Sequence, residues 1–188
     1  MPMAAAWPNV YGALGDVLSS RSDAGRLPDA LDGLRGAISH APEAALEEAR
    51  GSLMLPLLAL AQSVAIARSD KAERCAEQIR FPLAKADRVA ERAIGCLEEL
   101  LSRTCCSDAT EFVRLLYALA DLMVLNKETA SEEVRLASIG CLANLASRHK
   151  CNNADLQDQM AEDRPREVLA FLTHQCLKAA REEGDRGL

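Results

Sequence analysis

The chain has 188 residues, 49% of them hydrophobic but only 3% aromatic, and a net charge of −6. A core that must be built from Leu, Ala, Val and Ile favours helices over sheets. The acidic balance, without any basic run, argues against a general nucleic-acid binder, which needs Lys and Arg to displace counterions.

Residues 1–6 read as a loose tail. Pro8 suits the first turn of a short helix ending near Leu18. Residues 19–28 are polar, carry Gly25 and Pro28, and read as a loop. Asp29 then starts a second helix with Leu31, Leu34 and Ile38 on one face, although Gly33 and Gly36 weaken the pattern. Pro42 begins the longest helical pattern. Glu43, Glu47 and Glu48 sit in its early turns, where carboxylates suit the positive helix end. Leu46, Ala49 and Leu53 line its apolar face, and Leu57, Leu60 and Val64 continue that face. Pro56 between them is expected to break or kink the helix, because it has no N–H to donate. The uncharged stretch 51–67 is short for a membrane span of about 20 residues and carries Pro56 and Gln62, so it reads as a buried helix.

Residues 68–85 are readable either as a short helix ended by Phe81-Pro82 or as an insertion between hairpins. A clear helix runs from Ala86 to Arg103, and Thr104-Cys105-Cys106 forms a turn. Asp108 and Glu111 have capping-box spacing ahead of a helix that buries Phe112, Leu115, Leu116, Leu119 and Met123. Thr129 and Glu132 repeat that spacing before a helix from Ser131 to Arg148. Residues 151–164 read as loop, and a last helix starts near Pro165, with Val168, Leu169, Leu172 and Leu177 apolar. Residues 183–188 read as a frayed end.

Two ten-residue stretches stand out. Ile94 to Arg103 reads IGCLEELLSR and Ile139 to Arg148 reads IGCLANLASR. They share seven of ten positions at an offset of 45 residues, and Val89 and Val134 keep that offset. A period of about 40–47 residues is that of HEAT and armadillo repeats, which stack helical hairpins. Ile94, Leu97 and Leu101 fall on one helical face, as do Ile139, Leu142 and Leu145, and these six are the expected packing residues. The Gly-Cys pair in each copy is small enough to let a neighbouring backbone approach. Chance similarity between two leucine-rich helices is the competing explanation. The repeat predicts an all-α protein: an α-solenoid of about seven helices without a sheet, forming one repeat domain over residues 1–188.

Chemistry is sparse. There is no CxxC, HExxH, GxSxG or GxxxxGK[ST] motif. The seven cysteines are Cys75, Cys96, Cys105, Cys106, Cys141, Cys151 and Cys176. The first ten residues have neither a basic start nor a long apolar run, so no secretory signal is read there. Reduced thiols in a cytoplasmic or nuclear protein are therefore expected, with Cys96 and Cys141 acting as small hydrophobes. His149/Cys151 and His174/Cys176 are each spaced two apart; on a helix such residues point to different faces, which makes the second pair a poor chelate, whereas the first pair reads as loop. Zinc requires Cys105 and Cys106 to join His149 and Cys151 from a distant loop. Nothing near Cys105-Cys106 except Arg103 favours a reactive thiolate. Neither a catalytic constellation nor a cofactor or metal site is expected. The protein-binding residues are not legible, because a solenoid's binding face is specified in three dimensions.

The order of these features resembles a known family. Leu53-Met54-Leu55-Pro56-Leu57 resembles the LFPL helix near the start of Tel-two-interacting protein one, a subunit of the Triple T complex. Residues 94–101 (IGCLEELL) are similar to its ECL..LL helix, followed here by Thr104-Cys105. Residues 112–122 resemble the next amphipathic helix. Residues 131–137 (SEEVRLA) are similar to SEELKLA, and residues 141–145 (CLANL) to the CL..L that follows. The resemblance covers roughly Leu31 to Arg148 and fades after Lys150, which reads as an amino-terminal piece of a longer repeat protein, a truncated gene or a short relative.

By resemblance, the chain is a non-catalytic HEAT-repeat scaffold. It would act with the other Triple T subunits and the Hsp-ninety chaperone in maturing phosphatidylinositol-3-kinase-related kinases, including the TOR kinase. No nucleic acid, membrane or small-molecule substrate is implied. An unrelated armadillo-type adaptor, for transport or ubiquitin ligase assembly, is the main alternative, followed by a thiol- or metal-binding regulator.

Overall fold

Helix α1 (Val10–Ser19) ends in a turn that Asp23 organises: its Oδ1 accepts the backbone N–H groups of Gly25 and Arg26 at 2.9 and 3.2 Å. Helix α2 (Leu27–His40) starts there, two residues before the expected Asp29. Leu27 is fully buried and Pro28 sits in the first turn, where its missing N–H costs nothing. Gly33 and Gly36 lie within the helix beside open space. Complete burial of Leu31, Leu34 and Ile38 offsets the roughly 1 kcal/mol that each helical glycine costs.

This computed structural model describes residues 10–23, 25–68, 83–124 and 132–151. Four more helices follow: α3 (Glu43–Arg68), α4 (Leu83–Arg103), α5 (Ala109–Val124) and α6 (Glu132–Arg148). No strand occurs among the described residues. The expected helix near Pro165, the capping position Thr129, and Cys75 and Cys176 lie outside them.

Helix α3 is not broken at Pro56 but runs through it. Leu53, Met54, Leu57, Leu60 and Ala61 are buried on either side of the proline, and α3 packs along the length of α4. Burying several leucines at about 1.5–3 kcal/mol each outweighs the roughly 3 kcal/mol that an internal proline costs. The stretch 51–67 thus lies within one helix, and its residues Leu53, Met54, Leu57, Leu60 and Ala61 are packed. No helix among the described residues is long and apolar enough to cross a membrane.

The helices pair as hairpins: α1 with α2, α3 with α4, α5 with α6. The hairpins then stack mainly through their second helices, α2 on α4 and α4 on α6, whereas α1, α3 and α5 make little contact with one another. Helix α4 is therefore enclosed by α2, α3 and α6. It buries Ala86, Val89, Ala90, Ala93, Ile94, Cys96, Leu97, Leu100 and Leu101. One cluster of buried side chains runs through all six helices, from Val10 to Leu145. A hairpin alone cannot cover its apolar face, so this continuous core exists only in the stack.

Candidate interaction surface

The repeated Ile-Gly-Cys motif is the device that stacks the second helices. Cys96 Sγ donates to the Leu31 carbonyl of α2 at 3.3 Å, and Cys141 Sγ reaches toward the Ile94 carbonyl of α4 at 3.8 Å. The preceding glycine is crossed in each case by a long side chain four residues beyond that carbonyl. Arg35 lies over Gly95, its Nη1 3.3 Å from where a Cβ would sit, and Glu98 lies over Gly140. Carbonyl plus long side chain on one helix, cysteine plus glycine on the next, is one geometry used twice.

Arginines tie the ends of the hairpins together. Arg103 donates to the carbonyls of Ile38 and, at 2.7 Å, Ala41. It thus satisfies the C-terminal end of α2, where a cation is favoured. Its counterpart Arg148 is exposed. In the second repeat the corresponding loops meet through the backbone, Lys150 N–H donating to the Cys106 carbonyl at 2.7 Å. The loop at 104–108 is also pinned to α3. Arg50 donates to the Cys105 carbonyl at 2.6 Å and to Glu111 at 2.7 Å, and Glu47 accepts from the Cys105 N–H at 2.6 Å. Asp108 caps α5 by accepting the Glu111 N–H at 2.8 Å, as the capping spacing predicts. The Glu111 carboxylate serves Arg50 as well. Sequence reasoning missed Arg50 and Glu47, because their partners lie 55 to 61 residues away.

The expected packing residues divide. Ile94, Leu97, Leu101 and Leu145 are buried and Leu142 packs partly against the core, but Ile139 is 43% exposed. The buried side of α6 is Val134, Arg135, Ser138, Cys141 and Leu145. Ser138 disguises this face, since its hydroxyl is satisfied by the Val134 carbonyl at 2.7 Å and a back-bonded serine can sit where an apolar residue would. Ile139 lies one position round the helix and faces outward, next to Leu136, which is 52% exposed.

The loops that carry Cys105, Cys106, His149 and Cys151 do meet. Cys151 Sγ lies 3.5 Å from the Cys106 carbonyl, and the His149 ring packs on Phe112 with centroids 4.8 Å apart. Among the described residues, no three His, Cys, Asp or Glu side chains are grouped to hold a metal ion. The thiols at 96, 105, 106, 141 and 151 are free. Burial pushes Cys96 up to about 12, against the pull of the Arg35 charge. Burial, then the Glu111 charge, pushes Cys106 up to about 12. Burial also raises Cys141 and Cys151. Such thiols are held neutral, which is the opposite of nucleophile activation.

Residues 34–188 match the family model described as the TTI1 N-terminal TPR domain. The chain belongs to this TTI1 family. No curated protein and no solved structure matches it. The family match begins inside α2 and continues beyond Lys150, where the resemblance to individual motifs fades. The family description names TPR repeats, whose period is about 34 residues, whereas the two copies here lie 45 apart. Stacked helical hairpins are common to both repeat classes, and helical repeat domains of this kind typically mediate protein interactions without catalysis.

Proposed function

We propose that the chain is a non-catalytic protein-binding scaffold, the amino-terminal repeat region of a Triple T complex subunit. In this reading it works with the other Triple T subunits and the Hsp-ninety machinery to mature phosphatidylinositol-3-kinase-related kinases in the cytoplasm or nucleus, and residues 1–188 act as one repeat domain. The observation that carries it is the family match over residues 34–188, on a chain whose described helices form a stacked hairpin array. The chemistry supports a binding role. Arg50 and Arg103 join one element to the next, the buried hydroxyls of Thr104 and Ser138 donate to carbonyls four residues earlier in the chain, and burial holds the Cys96 and Cys106 thiols neutral. A catalytic site needs converging polar groups of tuned pKa instead.

Affinity purification of the tagged chain from its own cells, read by mass spectrometry, tests this. Co-recovery of the other Triple T subunits together with a kinase of this class is expected. Their absence, with a different defined assembly recovered, would overturn the assignment.

A further inference from the structure

The repeat extends past the helices into their loops. Cys106 and Cys151 lie 45 residues apart, the offset that also separates Cys96 from Cys141. Each stands three residues after the arginine that ends its helix, Arg103 in α4 and Arg148 in α6. The array therefore carries two rows of thiols. Cys96 and Cys141 sit inside the helices, and each lies against the carbonyl of a different helix, Leu31 of α2 and Ile94 of α4. Cys106 and Cys151 sit in the loops, and those two meet each other.

Stacking of α6 on α4 lays one loop against the other. Lys150 N–H donates to the Cys106 carbonyl at 2.7 Å, and Cys151 Sγ lies 3.5 Å from the same oxygen. The Cys151 thiol also meets the Cys106 thiol in a hydrogen bond. The 104–108 loop is itself tied to α3 by Arg50 and Glu47, which fixes the position of Cys106. A disulfide needs two side chains turned toward each other across no more than about 7 Å of backbone separation. Two thiols in contact on hydrogen-bonded loops are placed for it.

We propose that Cys106 and Cys151 are an oxidisable pair, which a peroxide converts to a disulfide that staples the end of α6 to the loop between α4 and α5. Cys151 is the more exposed of the two, at 9% against 3%, and reacts first. Its sulfur attacks hydrogen peroxide, the O–O bond breaks, one oxygen stays on sulfur as a sulfenic acid and the other leaves as water. The Cys106 sulfur then attacks that sulfur. The S–S bond forms, the S–O bond breaks, and the oxygen leaves as a second water with the Cys106 proton. Two electrons pass from the two thiols to one peroxide. Burial keeps both thiols protonated, so the bond forms slowly, and the same burial shelters it from reductants once made. The closed segment 106–151 holds α5 and α6. A cross-link over it constrains the unfolded chain and locks the third hairpin onto the second.

The test treats the native full chain with hydrogen peroxide, alkylates the remaining thiols and reads cross-linked peptides by mass spectrometry without reduction. The Cys106–Cys151 link is expected to exceed every other cysteine pair by at least about tenfold, because contact raises effective concentration. The same treatment in urea is expected to remove that preference. The oxidised native chain is expected to unfold at a higher urea concentration than the reduced chain. Cys106→Ser and Cys151→Ser should each abolish that shift, while Cys105→Ser keeps it. Sulfinic acid at Cys106 or Cys151 without any cross-link would overturn the proposal. So would a different dominant pair in the native chain, or a Cys106–Cys151 yield no higher in the native chain than in urea.

Discussion

Glu98 of α4 lies across Gly140 of α6, filling the space that a Cβ at position 140 would take. With the Cys141 thiol on the Ile94 carbonyl, the contact gives a specific register to two helices whose remaining contacts are apolar. Gly140→Ala is expected to change stability by no more than about 1 kcal/mol, because the helix gains propensity while a flexible carboxylate moves aside. Gly140→Leu is expected to cost about 1–3 kcal/mol by overpacking. Adding Glu98→Ala should recover part of that loss. Urea melts of the four proteins measure this, and an unchanged midpoint for Gly140→Leu would mean that the crossing is not made.

Leu97 is fully buried, while Leu55, on α3, is 74% exposed. Leu97→Ala is expected to cost about 2–5 kcal/mol, and Leu55→Ala to stay within about 0.5 kcal/mol of the parent. Thermal melts compare the two directly. Equal effects would contradict the enclosure of α4.

Arg50 is the link from α3 to both the 104–108 loop and α5. Its side chain is 11% exposed and that of Glu111 28%. Arg50→Ala is expected to cost about 3 kcal/mol, the low end for removing one partner of a buried pair. Glu111→Gln, which keeps a hydrogen-bond acceptor, should cost about 1 kcal/mol. Denaturant midpoints for the two variants check the order. Hydrogen exchange should also rise locally across 104–112 in Arg50→Ala.

Cys96 and Cys106 ionise near 9.0 as free thiols and near 12 in the fold. Below pH 9 both states keep the proton and the contribution of burial is complete. Between about 9 and 12 only the unfolded chain gives it up, so stability falls as pH rises. The slope is at most about 1.4 kcal/mol per pH unit for each thiol. Denaturant melts from pH 8 to 10.5 should show this decline, and Cys96→Ala should flatten it.

Much of the fold is legible in the sequence because helix periodicity is a local property. Leu31, Leu34 and Ile38, or Leu46, Ala49 and Leu53, lie on one face whatever they pack against, and all six are buried. Asp108 could be assigned as a cap from its spacing to Glu111, because a cap acts within one turn. The two IGCL copies revealed stacking because the same contact problem is solved twice with the same residues.

Tertiary structure decided the rest. Pro56 carries a local signal for a helix end, yet α3 continues, because the burial along α4 is larger than the local cost. Ile139 is expected on the packing face from its spacing, yet it is exposed and its neighbour Ser138 is buried. A serine that bonds its own helix can be buried, while an isoleucine beyond the reach of α4 and α5 stays outside. The roles of Arg50, Arg103 and Glu98 depend on partners 42 to 65 residues away, and no local pattern encodes which carbonyl or glycine a long side chain will meet. The sequence by itself determined where helices form and which of their faces are apolar. Only the stacked array decided which of those faces are covered, since burial depends on the neighbour as well as on the residue.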